Sequence, residues 1–235
     1  MRIDKFISDA AAMTRSQSRK AIKSGRVSLG ENIVKDIALS VGEDDRVFLD
    51  GAEISYKEFV YIMLHKPSGY ISATEDKKKK TVLDLLDPSY SRYALFPVGR
   101  LDIDTEGFLL LTNDGALAHN MLSPNKDVGK TYFVQLEKEI TEKEISLLEN
   151  GVDIGECVTK PAKVQKISEN EINLTITEGK FHQIKRMAVA AGNKVTYLKR
   201  LAYGDFHLDE TLKKGDYREL SDKEVENLCK VYKRK

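Results

Sequence analysis

An α+β architecture in two domains is the fold this sequence predicts, and three observations support it. Strand-like and helix-like segments mix along residues 59–235 without strict strand–helix–strand alternation, which disfavours a doubly wound parallel sheet. Residues 1–58 carry helix and strand patterns of their own, so they read as a small separate domain. A chain of 235 residues with 41% hydrophobic content can bury a core in each part.

In the first part, Ile3, Phe6, Ile7 and Ala10 recur at helical spacing. A second helix is expected from Ser16 to Ser24, stopped by Gly25. Short strands follow at Val27-Ser28-Leu29 and Val47-Phe48-Leu49, the latter before an Asp50-Gly51 turn. Between Ala10 and Gly30 there are five basic residues and no acidic one. Arg15, Arg19 and Lys23 fall on one helix face over about 12 Å, flanked by Lys20 and Arg26. A solvated face normally mixes signs, and this one does not. It reads as a stripe for phosphates.

The second part opens with a strand at Phe59 to Pro67, and Lys66-Pro67-Ser68-Gly69 reads as a tight turn. Lys77 to Lys80 form an exposed basic loop. Next comes Gly99-Arg100-Leu101-Asp102-Ile103-Asp104-Thr105-Glu106-Gly107, then the apolar run Phe108-Leu109-Leu110-Leu111 and an Asn113-Asp114-Gly115 turn. An apolar run between turn signals suits a strand buried on both faces, so Asp102 belongs to a loop carried by rigid core. Helices are expected near Gly115–Leu122, Thr141–Asn150 and Gln183–Ala191. Strands are expected at Thr131–Leu136, Ala162–Ile167 and Glu171–Thr177. Gly179 to Gly204 is a second acid-free segment, with six Lys or Arg.

Several function classes are disfavoured. Net charge is only +1, so charge distribution, not total charge, points to RNA. Two distant cysteines, Cys157 and Cys229, suggest neither a disulfide framework nor a Cys-rich zinc site, and they fit a reducing cytoplasm. No apolar run approaches the roughly 20 residues of a membrane span. There is no P-loop and no GxGxxG motif. Asp102, Asp104 and Asp114 leave a magnesium reading open beside a nucleophile reading. Tyr132, at the start of a strand, is explained on sequence alone by core packing.

The segments Arg2-Ile3-Asp4-Lys5-Phe6-Ile7 and Thr14 to Val27 resemble the S4 RNA-binding domain. Behind them, four motifs stand in order: Leu64-His65-Lys66-Pro67-Ser68-Gly69-Tyr70, Gly99-Arg100-Leu101-Asp102 with Thr105, Lys130-Thr131-Tyr132, and Glu178-Gly179-Lys180-Phe181-His182-Gln183-Ile184-Lys185-Arg186-Met187. Together they resemble the RsuA-type pseudouridine synthases of small-subunit ribosomal RNA, more than the large-subunit relatives. Phe108, where leucine is usual, is a minor departure.

This resemblance implies a larger domain built on a mixed, mostly antiparallel β-sheet flanked by helices. It implies an isomerisation without cofactor or metal. The N1–C1′ bond of a uridine breaks, the base turns, and C5 joins C1′. Asp102 would be the nucleophile, Tyr132 would stack on the target base, and Lys185 would pair with Asp102. Arg15, Arg19, Lys20, Lys23, Arg26, Arg100, Lys180 and Arg186 would contact RNA. Asp104 and Glu106 would be loop hydrogen-bonders or solvent-facing charges. The expected partner is ribosomal RNA, free or in an assembling small ribosomal particle, with no membrane association and a monomeric cytoplasmic protein. Two rival classes are a non-catalytic RNA-binding assembly factor, which would not need Asp102, Tyr132 and Lys185 together, and a metal-dependent RNA-processing enzyme using the three aspartates.

Overall fold

The computed structural model describes residues 1–42, 44–123 and 126–232. The chain divides into two compact units, Met1–Phe59 and Val60–Lys235. Phe59, read from the sequence as opening the second domain, falls in the first.

In the first unit, helices α1 (Ile3–Ala10) and α2 (Arg15–Lys23) precede strands β1 (Val27–Leu29), β2 (Asn32–Ile33), β3 (Val47–Leu49) and β4 (Ala52–Ile54). The strands pair antiparallel in the order β2-β1-β3-β4. Ile3, Ile7, Ala21 and Ile22 from the helices share a core with Val27 and Val47. α2 begins a residue before the predicted start because Thr14 caps it. The Thr14 hydroxyl accepts from the Gln17 N–H, and the Gln17 side chain accepts from the Thr14 N–H.

The second unit contains β5 (Tyr61–Lys66), β6 (Phe96–Pro97), β7 (Glu106–Thr112), α3 (Gly115–Leu122), β8 (Lys130–Leu136), α4 (Glu142–Asn150) and β9 (Lys163–Lys166). It continues with β10 (Glu171–Ile176), α5 (Gln183–Ala190), β11 (Val195–Tyr203), β12 (Phe206–His207), β13 (Tyr217–Glu219) and α6 (Asp222–Tyr232). Its sheet runs β13-β5-β7-β11-β8-β10-β9, with β6 beside β7 and β12 beside β11. Every pairing is antiparallel except β7 with β11. This is the mixed, mostly antiparallel sheet expected.

β5 and β7 are buried along their whole length. Alternate side chains of a strand point to opposite faces. Ile62, Leu64, Leu109 and Leu111 therefore join one core with Leu148 of α4 and Met187 of α5. Tyr61, Met63, Phe108 and Leu110 join another with Leu117 of α3 and Leu228 of α6. A strand covered on both faces reads as a continuous apolar run, as 108–111 does. Besides the short strands β2, β4, β6, β12 and β13, two longer elements lie beyond the sequence-based expectation. β11 occupies the middle of the sheet inside a segment notable for its charge, and α6 packs against the second core. No helix among the described residues is long and apolar enough to cross a membrane.

Candidate active site

The loop leading into β7 is held by one buried side chain. Lys66, the last residue of β5, is fully buried. Its ammonium donates to the carbonyl oxygens of Pro67 at 3.0 Å, Asp102 at 3.1 Å, Ile103 at 3.3 Å and Thr105 at 2.8 Å. An ammonium has three donors for these four acceptors, so one is shared. The Thr105 N–H closes the turn onto the Asp102 carbonyl at 3.1 Å. Burial pushes the Lys66 ammonium down to about 8, against the pull of Asp104, Glu106 and Asp102.

Asp102 lines a cleft of about 610 Å³. His182 Nε2 stands 3.7 Å from its Oδ1, and Lys185 Nζ stands 3.6 Å from its Oδ2. Lys185 comes closer to Asp104, at 2.6 and 2.8 Å. The expected Lys185–Asp102 ion pair is present, but the lysine spans two carboxylates and places its hydrogen bonds on Asp104. A compact ammonium on a flexible stem can serve both. Burial pushes the Asp104 carboxyl up, but the Lys185 hydrogen bond and charge outweigh this and hold it below its ordinary value.

Tyr132, on β8, packs in the core and also lines the cleft. Opposite it on β11 is Arg200, a residue that sequence reasoning missed. Arg200 is 1% exposed, and its Nε donates to the Phe108 carbonyl at 2.8 Å. Its Nη2 is buried without a hydrogen-bond partner. Arg200 and Lys130 both lie over the Tyr203 ring, 5.3 and 5.1 Å from its centroid, and both line the cleft. Leu198, Arg200 and Ala202 share the buried side of β11. A cation on the apolar parity of a strand was the available signal, visible only once the strand is recognised.

The other predicted cations divide. Arg100 is exposed and lines the cleft. Lys180 also lines it, with its ammonium 2.8 Å from the Cys157 Sγ and 3.3 Å from Glu178. Arg186, expected to contact RNA, is not among the cleft residues. It donates to the carbonyls of Ile154 at 2.5 Å and Phe181 at 3.3 Å and pairs with Glu156 at 3.3 Å. One residue beyond Lys185 is about 100° around a helix, which turns Arg186 toward a different neighbour.

The remaining carboxylates near the loop have other duties. Glu106 is buried, so of the two roles expected it takes that of a hydrogen-bonder and not that of a solvent-facing charge. It accepts from the Tyr197 hydroxyl at 2.5 Å and pairs with Lys214 at 2.8 Å. Asp114 caps α3 through the Leu117 N–H at 3.0 Å and accepts from the Tyr61 hydroxyl at 2.8 Å. Asp102 and Asp114 flank opposite ends of the seven-residue β7. That strand is about 20 Å long, too far for the two to share a metal ion.

In the first unit, Arg15 and Arg19 of the predicted stripe converge with Arg2 on Asp4, at 3.1, 3.0 and 3.2 Å. The Asp4 side chain is wholly buried. Burial pushes its carboxyl up, but the Arg19 hydrogen bond and the charges of Arg2 and Arg15 hold it below the ordinary carboxylate value. Arg26 pairs with Asp50 at 2.5 Å. Lys20 and Lys23 are exposed and stand outside this cluster.

Residues 60–190 match the family model described as RNA pseudouridylate synthase, and residues 1–47 match the S4 domain model. The chain is 49% identical over 232 residues to a Bacillus subtilis protein named as an uncharacterized RNA pseudouridine synthase, covering 96% of this chain and 97% of the relative. It is 42% identical over 232 residues to ribosomal small subunit pseudouridine synthase A of Vibrio cholerae, covering 98% and 100%. It is 39% identical over 233 residues to the protein of that name from Haemophilus influenzae, again covering 98% and 100%. A crystal structure described as a pseudouridylate synthase aligns with a TM-score of 0.68 at 37% identity, covering 97% of this chain and 99% of that one.

Proposed function

Because the chain belongs to the RNA pseudouridylate synthase family, we propose that its substrate is small-subunit ribosomal RNA, in which it converts one specific uridine to pseudouridine. As a pseudouridine synthase it is an isomerase. The observation that carries the choice of RNA is the full-length similarity to relatives named ribosomal small subunit pseudouridine synthase A.

In this reading Asp102 is the nucleophile. Its support is a carboxylate that lines the cleft, on a loop held by Lys66, with His182 and Lys185 within 3.7 Å. Carboxylates are established covalent nucleophiles at glycosidic carbons. The target uridine must leave its stack, at a cost of a few kcal/mol. Tyr132 offers the base an aromatic surface inside the cleft, and Lys185 stands beside Asp102 while shared with Asp104. Lys20 and Lys23 grip the RNA backbone, and no cofactor enters the reaction. Pseudouridines mapped by carbodiimide adducts and primer extension, in cells with and without this protein, test the proposal. One site in the small-subunit RNA is expected to disappear. A site lost from large-subunit RNA, or no site lost, overturns it.

A further inference from the structure

Phe181 is the most exposed large apolar side chain among the described residues, at 70%, and it lines the cleft that contains Asp102. A phenyl ring left in water forgoes its burial energy, so its presentation needs a cause. The turn beneath it is braced at several points. The Lys180 N–H donates to Gln183 Oε1 at 2.9 Å, and the Gln183 N–H donates to the Lys180 carbonyl at 3.2 Å. Gln183 Nε2 donates to Glu178 at 2.7 Å, and Arg186 donates to the Phe181 carbonyl itself. His182 is held at φ +48°, in the left-handed region. Such a conformation in a non-glycine residue persists only where the surroundings impose it, and it clusters at functional sites.

The outcome of this bracing is a stacked pair. The Phe181 and His182 rings lie 3.8 Å apart at 19°, and His182 reaches to 3.7 Å from Asp102. His182 covers one face of the phenyl ring, which leaves one face for a ligand. Arg100, Lys180 and Lys185 line the same cleft, so the surroundings favour a polyanion over an apolar protein partner.

We propose that the open face of Phe181 is a stacking platform for the nucleobase adjacent to the target uridine. The proposal rests on the reading that the cleft takes a uridine of RNA. When the uridine leaves the helix its neighbour loses a stacking partner, and the Phe181–His182 pair replaces it beside Asp102. Aromatic stacking of this kind is tolerant of base identity, so the platform holds position more than it reads sequence.

A double-mutant cycle tests this, using a hairpin that carries the mapped uridine and versions with an abasic nucleotide on its 5′ or 3′ side. On intact RNA, Phe181→Ala is expected to raise Kd about 5- to 150-fold, with Phe181→Trp close to wild type. On the RNA abasic at the stacked position, wild type weakens by a similar factor and Phe181→Ala adds no further loss. Equal losses from Phe181→Ala on intact and both abasic RNAs, or no loss on any, overturn the platform. Thermal melts of the variants separate a folding defect from lost stacking. Absence of wild-type turnover on any small-subunit RNA is failure of the substrate reading, and the platform falls with it. Normal wild-type turnover with an indifferent Phe181→Ala overturns the platform alone.

Discussion

Lys66 donates to three carbonyls of the loop that carries Asp102 as well as to its own neighbour Pro67, so one side chain's protonation reaches the candidate site. Burial lowers its folded pKa from 10.5 to about 8. Between those values the unfolded chain holds the proton and the folded chain releases it, so this group makes folding stability rise with pH. The loop meanwhile loses its charged donor. Activity is therefore expected to fall with an apparent pKa of about 8 without a matching loss of stability, which kcat profiles beside thermal melts will check. Lys66→Met removes the buried donor to four carbonyls at every pH, leaving those of Asp102 and Ile103 only their backbone donors, Thr105 N–H and Gly69 N–H, and is expected to cost about 2–4 kcal/mol of stability in denaturant titrations. Asp102→Asn keeps the shape of the loop and removes the proposed nucleophile. Single-turnover assays should find no pseudouridine, while filter binding finds RNA affinity within a few-fold of wild type. Substantial residual turnover would remove Asp102 from the nucleophile role.

At the scale of elements, β7 combines two requirements. It must be apolar on both faces, and it must lie close against β11. Gly107 meets the second. It pairs with Arg200 at φ +106°, and a Cβ there would stand 2.2 Å from the Arg200 carbonyl oxygen. Gly107→Ala must push β7 and β11 apart or strain the backbone. A loss of about 3 kcal/mol or more is expected in thermal or denaturant unfolding. Most elements were legible from local pattern: β7 from its apolar run, and α3 from helical spacing after a turn signal. β11 was not, because Lys199 and Arg200 interrupt its apolar pattern and their places in the sheet appear only with its partners.

At the scale of the molecule, each unit has its own core. Deleting residues 1–59 is expected to leave a folded second unit that binds RNA more weakly. Its log Kd should also depend less steeply on log salt, by about 0.7–0.9 for each phosphate no longer engaged. Lys20→Glu with Lys23→Glu probes the proposed phosphate grip in the full chain. Arg19→Glu would instead break the pairing of buried Asp4 and unsettle the first unit. The double lysine variant should melt like wild type and lose affinity most at low salt. An unchanged salt slope would remove α2 from the RNA interface.

Local order along the chain carried the α+β class, the two-part division, the motif sequence and the Asp102 loop, because turns, caps and burial parity are written within a few residues. Partnerships across the chain were decided by the tertiary structure. Asp4 meets Arg19 across 15 residues, Lys66 reaches its loop carbonyls across 36 to 39, and Arg200 meets Phe108 across 92. Hydrogen bonds and ion pairs depend on distance through space, and desolvation depends on what surrounds a group. For that reason Lys185 emerged as shared between two carboxylates, Arg186 as a brace, and Lys66 as the cation beneath the loop, none of which spacing alone could reveal.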